Sequence, residues 1–275
     1  MSAPPPAETA TATPTRPPFK VRRLDPAAIG GIMSREVANF KTFWKGTTFS
    51  SVLEPTIYLL AFGLGLGSTL VGRVNGLEYV EFVGTGMVAT AVIFSSALPA
   101  MFGTFVKHHF QNTYDAILAA PVDVEELVTA EMLWIGVRSG FYGCFPLLVA
   151  MIFGLDPAFG MLLVPIFAFV TALGFAGFGI AVAASAEKID QFSYVTTLVV
   201  TPLFLVAGTF FPIDQLPQGA QAAAQVNPLH HLVELVRGAS FGFEAIDLLR
   251  FGVLLAFVFV MWRLAVNRLS KRLID

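Results

Sequence analysis

Residues 159–184 read FGMLLVPIFAFVTALGFAGFGIAVAA, a run without a single charged side chain. A helix needs about 20 apolar residues to cross the roughly 30 Å hydrocarbon core of a bilayer. The chain on either side of this run contains five more apolar runs of comparable length, separated by short polar breaks. The predicted spans are 47–70, 79–106, 127–153, 159–184, 192–211 and 245–266. The predicted fold is therefore an all-α membrane protein with six transmembrane helices.

The composition agrees with a membrane protein. The chain is 55% hydrophobic and 13% charged, with a mean hydropathy of +0.72, whereas soluble proteins carry about 25% charged residues. Six spans leave little chain for a soluble catalytic domain. The single cysteine, Cys144, excludes a disulfide or a cysteine-based metal site within one chain.

Charge distribution predicts the orientation in the membrane. With six spans both termini lie on one side, and that side carries 13 basic residues against three, Arg73, Arg237 and Arg250, on the other. Basic residues concentrate in cytoplasmic segments. We therefore expect a multi-pass protein of the cytoplasmic (inner) membrane with both termini in the cytoplasm.

The chain before the first span divides into two parts. Residues 1–23 begin with a tail rich in Pro, Ala and Thr, which predicts a disordered cytoplasmic segment. Residues 24–45 predict an amphipathic helix on the membrane surface, capped by Asp25 and followed by the six-helix domain at 46–270. Its apolar stripe comprises Ile29, Met33, Val37, Phe40 and Trp44. The helix is either a simple membrane anchor or a lever that also touches a cytoplasmic partner.

Two loops are predicted to contain helices of their own. The 2–3 loop (107–126) should hold a short helix ended by Pro121, with Ile117 and Leu118 either docking a partner or folding back onto the bundle. The outer segment (212–244) should form two short extracytoplasmic helices that cap the bundle. Asn227 is the expected N-cap of the second, and Gly238 its expected end.

Three of the charged residues within the predicted spans are candidates for a role in transport. Charged groups in a membrane usually face the bundle interior or water and often mark a pathway, so Glu54, Glu131 and Arg138 are candidate transport-pathway residues. Both carboxylates lie close enough to the cytoplasmic surface to reach water instead. Glu131 is a partner for Arg138, two turns away, only if both side chains stretch. The glycines of the fourth span indicate close helix packing.

The sequence shows no motif for catalysis. It contains no Walker A motif, no HExxH and no GxGxxG after a strand. His230 and Glu234, four residues apart, supply two ligands at most, so no metal site is expected. We expect a protein that is not an enzyme and has no nucleic-acid partner.

Three stretches carry a family resemblance. They are EPTIYLLAFGLGLG at 54–67, YDAILAAP at 114–121, and GTFFPIDQLP at 208–217 followed by NPLHH at 227–231. With the helix order, they resemble ABC-2 type transporter permeases, most closely the nodulation protein J branch of lipo-oligosaccharide exporters, with daunorubicin-type permeases as relatives.

The resemblance implies half of a transporter. Two permease chains, expected to be identical, would pair with two copies of a separate ABC ATPase, which binds the ATP and Mg, while this chain binds no cofactor. By position, the ATPase-coupling residues would be Tyr114, Asp115, Ile117, Leu118 and Pro121. The outer gate would be formed by Phe210, Phe211, Asn227, His230 and His231.

The implied function is export of a lipid-linked compound, a glycolipid or lipo-oligosaccharide, or an amphipathic drug-like molecule across the cytoplasmic membrane. Two alternatives remain open from the residues alone. A gradient-driven secondary transporter would need buried charges for ion coupling, of which the spans hold few. A membrane enzyme acting on a lipid-linked substrate would need clustered reactive groups near the interface.

Overall fold

The structure, a computed structural model, describes residues 24–66 and 74–274, and these are almost wholly helical. The helices are α1 (Pro26–Leu59), α2 (Tyr79–His109), α3 (Thr113–Leu118), α4 (Val124–Ile152), α5 (Val164–Ser185), α6 (Gln191–Val195), α7 (Thr201–Leu205), α8 (Gln218–Val226), α9 (Pro228–Phe241) and α10 (Ala245–Ile274). Two π-helical stretches (Leu60–Leu66 and Thr196–Val200) and two 3-10 stretches (Phe159–Leu163 and Ile213–Gln215) join them. The predicted tail at 1–23 lies outside the described residues.

Four helices of the described chain are long and apolar enough to cross a membrane. They are Tyr79–His109, Val124–Ile152, Phe159–Ser185 and Ala245–Leu273, which match the second, third, fourth and sixth predicted spans. The Phe159–Ser185 helix is central, because α5 packs against α2, α4 and α10.

No helix break separates the predicted surface helix at 24–45 from the predicted first span at 47–70. One continuous helix, α1, runs from Pro26 to Leu59 and passes into a π-helical stretch that ends at Leu66. The helix continues through Gly46, and the Thr47 hydroxyl donates to the Phe43 carbonyl within the same helix. Asp25 caps the helix as predicted, accepting from the Ala27 backbone N–H.

The apolar stripe predicted for α1 is only partly correct. Ile29, Met33 and Phe40 are partly buried, but Val37 and Trp44 are exposed. The fully buried positions of this half of α1 are instead Ile32 and Glu36. The buried face of α1 is therefore rotated slightly from the predicted one, and it includes the Glu36 carboxylate.

The fifth predicted span, 192–211, is shorter than expected. Its helical segment, Gln191–Leu205, contains a π-helical middle and ends six residues early. The chain then turns through Gly208, whose φ of +87° is strained for any residue with a side chain. The six-span count therefore remains a prediction for this helix and for α1.

The predicted loop helices are present, with altered ends. α3 ends at Leu118, before Pro121. Asn227 caps α9 as predicted, accepting from the Leu229 N–H, but the helix passes Gly238 and ends at Phe241, before Gly242 at φ +135°.

Glycines of α5 bring helices into close contact, as predicted. A Cβ added at Gly179 would lie 2.6 Å from the Ala97 carbonyl oxygen and from the Ala100 Cβ of α2. Any larger residue at this position would push α2 and α5 apart.

Candidate functional site

A buried ionic cluster joins four helices at the end of the bundle where α1 begins. The Lys107 ammonium at the end of α2 donates to Glu36 of α1 at 2.9 Å and to Glu131 of α4 at 2.8 Å. The Tyr114 hydroxyl of α3 donates to the second oxygen of Glu131 at 2.7 Å. We call Glu36, Lys107, Tyr114 and Glu131 the basal network.

Local sequence explains how these residues meet. Lys107 lies in the last turn of α2, where a cation is favoured by the helix dipole. Asn112 adopts a left-handed conformation, φ 49°, and reverses the chain so that α3 folds back beneath α2 and α4. An Asn tolerates that conformation better than most residues. Tyr114 in the first turn of α3 then points into the bundle.

With the neighbouring Arg35 included, the charges of the basal network balance. The Arg35 guanidinium lies 3.3 Å from Glu36, so two cations face two carboxylates. Burial, with the neighbouring Glu131 carboxylate, raises the pKa of Tyr114 well above its usual value, so the phenol is a neutral donor. A buried charged cluster stabilises only when its members are all paired. This one therefore clamps α3 to α1, α2 and α4.

The structure divides the predicted coupling residues into inward and outward groups. Tyr114 is fully buried, and Ile117 and Leu118 are partly buried against the core, as in the alternative that they fold back onto the bundle. Asp115 and Pro121 are exposed. The outer surface of this loop is thus formed by Asp115, Ala116, Ala119, Ala120 and Pro121.

Glu131 and Arg138 do not form a pair. Both oxygens of Glu131 are taken by Lys107 and Tyr114, while Arg138 donates to the Ser95 backbone carbonyl at 3.3 Å. Glu131 is thus part of the basal network, and its role in a transport pathway stays a prediction. Glu54 lies in α1, and its side chain is outside the described residues.

A second cluster lies at the opposite end of the bundle. Glu234 of α9 pairs with Arg237 at 3.1 Å and with Arg250 of α10 at 3.0 Å. Arg250 also pairs with Asp247 at 2.7 Å. We call Glu234, Arg237, Asp247 and Arg250 the distal network.

Arg237 ties the distal network to distant backbone. Its guanidinium donates to the Gly208 carbonyl at 2.8 Å and stacks on Phe82 of α2, 4.0 Å from the ring centroid. These contacts satisfy a carbonyl that the turn after α7 leaves without a helical donor.

Most of the predicted outer-gate residues lie in this distal layer and satisfy backbone there. The Asn227 amide donates to the Leu203 carbonyl at 2.6 Å, and ring nitrogens of His230 and His231 lie 3.3 and 2.9 Å from the Ala207 and Gln225 carbonyls. The Phe210 ring packs against Phe62 at 4.9 Å between ring centroids, tilted by 54°, whereas Phe211 is exposed. Burial lowers the pKa of both histidines, which favours neutral rings.

Next to the distal network is a polar cavity of about 350 Å³. Its lining comprises Asn75, Pro212, Ile213, Asp214, Gln221, Gln225, His230, Glu234, Arg237 and Arg250. Within the described residues, no group of three His, Cys, Asp or Glu side chains is placed to hold a metal ion.

The sequence indicated some of these residues without their partners. Glu36 lies three or four residues from Ile32, Met33 and Phe40, so these residues share one face of a helix. The sequence alone therefore indicates that Glu36 lies on the buried stripe. Its partner Lys107, 71 residues away, is not indicated by the sequence, because no local pattern links the two. Glu234 and Arg237, three residues apart on one helix, carry a recognisable pairing pattern.

Long apolar helices with charge clusters at the two ends of the bundle define an integral membrane protein. The chain belongs to the ABC-2 type transporter family, whose model matches residues 28–241. It is thus a membrane transport permease by family.

Relatives with assigned names cover most of the chain. Nodulation protein J of Rhizobium leguminosarum bv. trifolii is 33% identical over 237 residues, covering 84% of this chain and 90% of that protein. Nodulation protein J of Rhizobium meliloti (strain 1021) is 32% identical over 236 residues, covering 84% and 89%. The inner membrane transport permease YadH of Escherichia coli (strain K12) is 26% identical over 245 residues, covering 89% and 95%.

Proposed function

We propose that this chain is the transmembrane subunit of an ATP-driven exporter. Two copies pair with two copies of a separate ABC ATPase, which binds ATP and Mg, in the cytoplasmic (inner) membrane. The chain itself hydrolyses nothing. The observation that carries the proposal is α3, a short loop helix clamped through Tyr114 to three long helices while Asp115 and Pro121 remain exposed.

The clamp explains how a loop transmits motion. A helix of six residues is too short to be stable alone, so α3 depends on Tyr114 and on the partial burial of Ile117 and Leu118. Movement of a bound ATPase against its exposed surface would then reach α1, α2 and α4 together through the basal network. In this proposal both termini and α3 face the cytoplasm, in agreement with the distribution of basic residues.

The cargo and its exit complete the proposal. The resemblance to lipo-oligosaccharide exporters supports a lipid-linked, glycolipid or amphipathic cargo. Phe210, Phe211, Asn227, His230 and His231 border the exit at the distal end. Four of them bond or pack against neighbouring segments, so opening the exit must break some of these contacts.

The test is purification of the tagged protein in mild detergent, followed by mass spectrometry of bound proteins and lipids. We expect a near-stoichiometric ATPase of ABC-domain size. A stable permease without an ATPase that transports along an ion gradient would instead indicate a secondary transporter. Product formation by the pure chain without nucleotide would indicate a membrane enzyme.

Site variants sharpen the same experiment. Asp115→Arg changes an exposed residue of α3 and should release the ATPase, whereas Asp156→Arg, an exposed residue after α4, should not. Ile117→Asp should uncouple transport, because a charge buried against the core displaces α3. Retention of the ATPase and full transport in both α3 variants would refute the docking surface.

A further inference from the structure

Arg138 is a cation in a membrane-spanning helix that pairs with no carboxylate of the described residues. The residue is partly buried in α4, and its Nε is buried without a hydrogen-bond partner. Among the described residues no carboxylate lies within ion-pair distance of it, and both oxygens of Glu131 are engaged elsewhere. A charged group at such a site is costly unless something pairs with it.

The hydrogen bond that Arg138 makes to a described residue does not explain its presence. Pro99 has no N–H, so the Ser95 carbonyl, four residues earlier in α2, lacks its helical donor. The Ser139 hydroxyl already fills that vacancy at 2.8 Å, and Arg138 adds only a longer bond of 3.3 Å. A serine alone satisfies the backbone here, which leaves most of the guanidinium donors of Arg138 available.

Two contacts fix the level of Arg138 along α1. Phe40 meets Trp134 at 5.5 Å between ring centroids, and the Thr48 and Tyr142 hydroxyls lie 2.8 Å apart. In both pairs the α4 residue comes 94 residues after the α1 residue. By the same spacing, Arg138 lies level with position 44 of α1.

Position 44 provides a second observation that points to a ligand. Trp44 is 48% exposed, and the exposed Lys45 ammonium lies 6.0 Å from the centroid of its ring. Tryptophan and lysine are typical of the level where lipid head groups meet hydrocarbon. We call Trp44, Lys45 and Arg138 the basal seam.

We propose that the basal seam binds the anionic head group of an amphiphile, of the phosphate class, whose hydrocarbon part lies along the apolar surface of α1 and α4. A guanidinium presents paired donors that match two oxygens of such a group. The assignment of this amphiphile as cargo rests on the proposed function. Binding to the seam does not.

The experiment uses the full-length protein in neutral maltoside detergent, with dodecyl phosphate as the probe and native mass spectrometry as the readout. We expect one saturable dodecyl phosphate per chain. Arg138→Gln should weaken it roughly tenfold or more, the loss of one charge-assisted bidentate contact. Arg138→Lys keeps the charge and should weaken it less.

One control and one further variant of the site keep the test decisive. Arg263→Gln removes an exposed arginine from α10 and should leave binding unchanged. Lys45→Gln, at an exposed position that does not affect packing, should weaken binding by a few-fold. Equal binding by wild type and Arg138→Gln would overturn the site, and so would inorganic phosphate binding as tightly as dodecyl phosphate.

A final arm separates cargo from resident lipid. In the complex with its ATPase, ATP should release bound dodecyl phosphate, because cargo leaves its site in each cycle. Probe that stays bound through turnover would mark a resident lipid and overturn the cargo assignment. Failure to find any ATPase would refute the proposed function and leave the binding result intact.

Discussion

The basal and distal networks both neutralise buried charge, but they connect different lengths of chain. Lys107 reaches carboxylates 71 and 24 residues away. In the distal network two pairs are three residues apart and the third is 16 residues apart. The ion pairs of the basal network therefore connect separate long helices, whereas the ion pairs of the distal network join only α9 and the start of α10. Disruption of the two should thus have different consequences.

Removing the central cation of the basal network should have the largest effect. Lys107→Met leaves Glu36 and Glu131 buried with only part of their partners, and stranding a buried charge costs about 3–5 kcal/mol. We expect that loss in the free energy of unfolding, measured with denaturant in detergent. Lys188→Met, at an exposed lysine, is the control and should change little. A loss below 1 kcal/mol would mean that the network behaves as a surface ion pair.

Removing the corresponding arginine of the distal network should cost less. In Arg237→Met, Glu234 keeps Arg250, so the main losses are the bonds to Gly208 and the stacking on Phe82. We expect about 2 kcal/mol by the same unfolding measurement. A loss as large as that in Lys107→Met would mean that the two networks contribute equally to the free energy of unfolding.

The link between α3 and the basal network can be weakened by removing one atom. Tyr114→Phe deletes the hydroxyl that donates to Glu131, while Lys107 still pairs with that carboxylate, and we expect a loss of about 1–2 kcal/mol. Under the proposed function, ATP hydrolysis per cargo exported should also rise. Tyr194→Phe, at a tyrosine 68% exposed, is the matched control. Unchanged coupling would separate the stability of α3 from its role in transmission.

Acidification should affect the distal layer through its histidines, with the smallest effect. Burial lowers the pKa of His230 and His231, so the folded state favours neutral rings over the charged form. The stability that this preference provides is complete above the ordinary value of 6.5 and is lost as pH falls below it. A His230→Gln, His231→Gln double variant should therefore show a flatter decline in melting temperature between pH 7 and 5. An unaltered slope would assign the decline to other groups.

Sequence reasoning was reliable where the pattern is local. The apolar runs of α2, α4, α5 and α10, and the caps at Asp25 and Asn227, follow from neighbouring residues and match the structure. The break expected between the surface helix and the first span is not seen, because α1 continues through the polar residues and the glycine that follow Trp44.

The candidate site was less predictable because its contacts are long-range. The resemblance named Tyr114 only as a residue of the coupling loop, whereas in the structure its ring is fully buried, because Asn112 turns α3 back against the bundle. The sequence identifies Arg138 as a charged residue within a span. That Arg138 does not pair with Glu131 follows from Lys107, which binds Glu131 instead. A one-dimensional pattern shows which side chains need partners and does not show which partners they find.

The π-helical stretch Thr196–Val200 has a consequence for how this family can vary. A π-helical turn is in effect one extra residue held within an otherwise regular helix. Deleting a residue there would restore α-helical geometry and leave the rest of the helix in its position. The same deletion in α5 would rotate every later side chain by about 100° and move its glycines away from α2 and α10. We therefore expect length differences among homologous sequences to concentrate within Gln191–Leu205 and to be rare in Val164–Ser185.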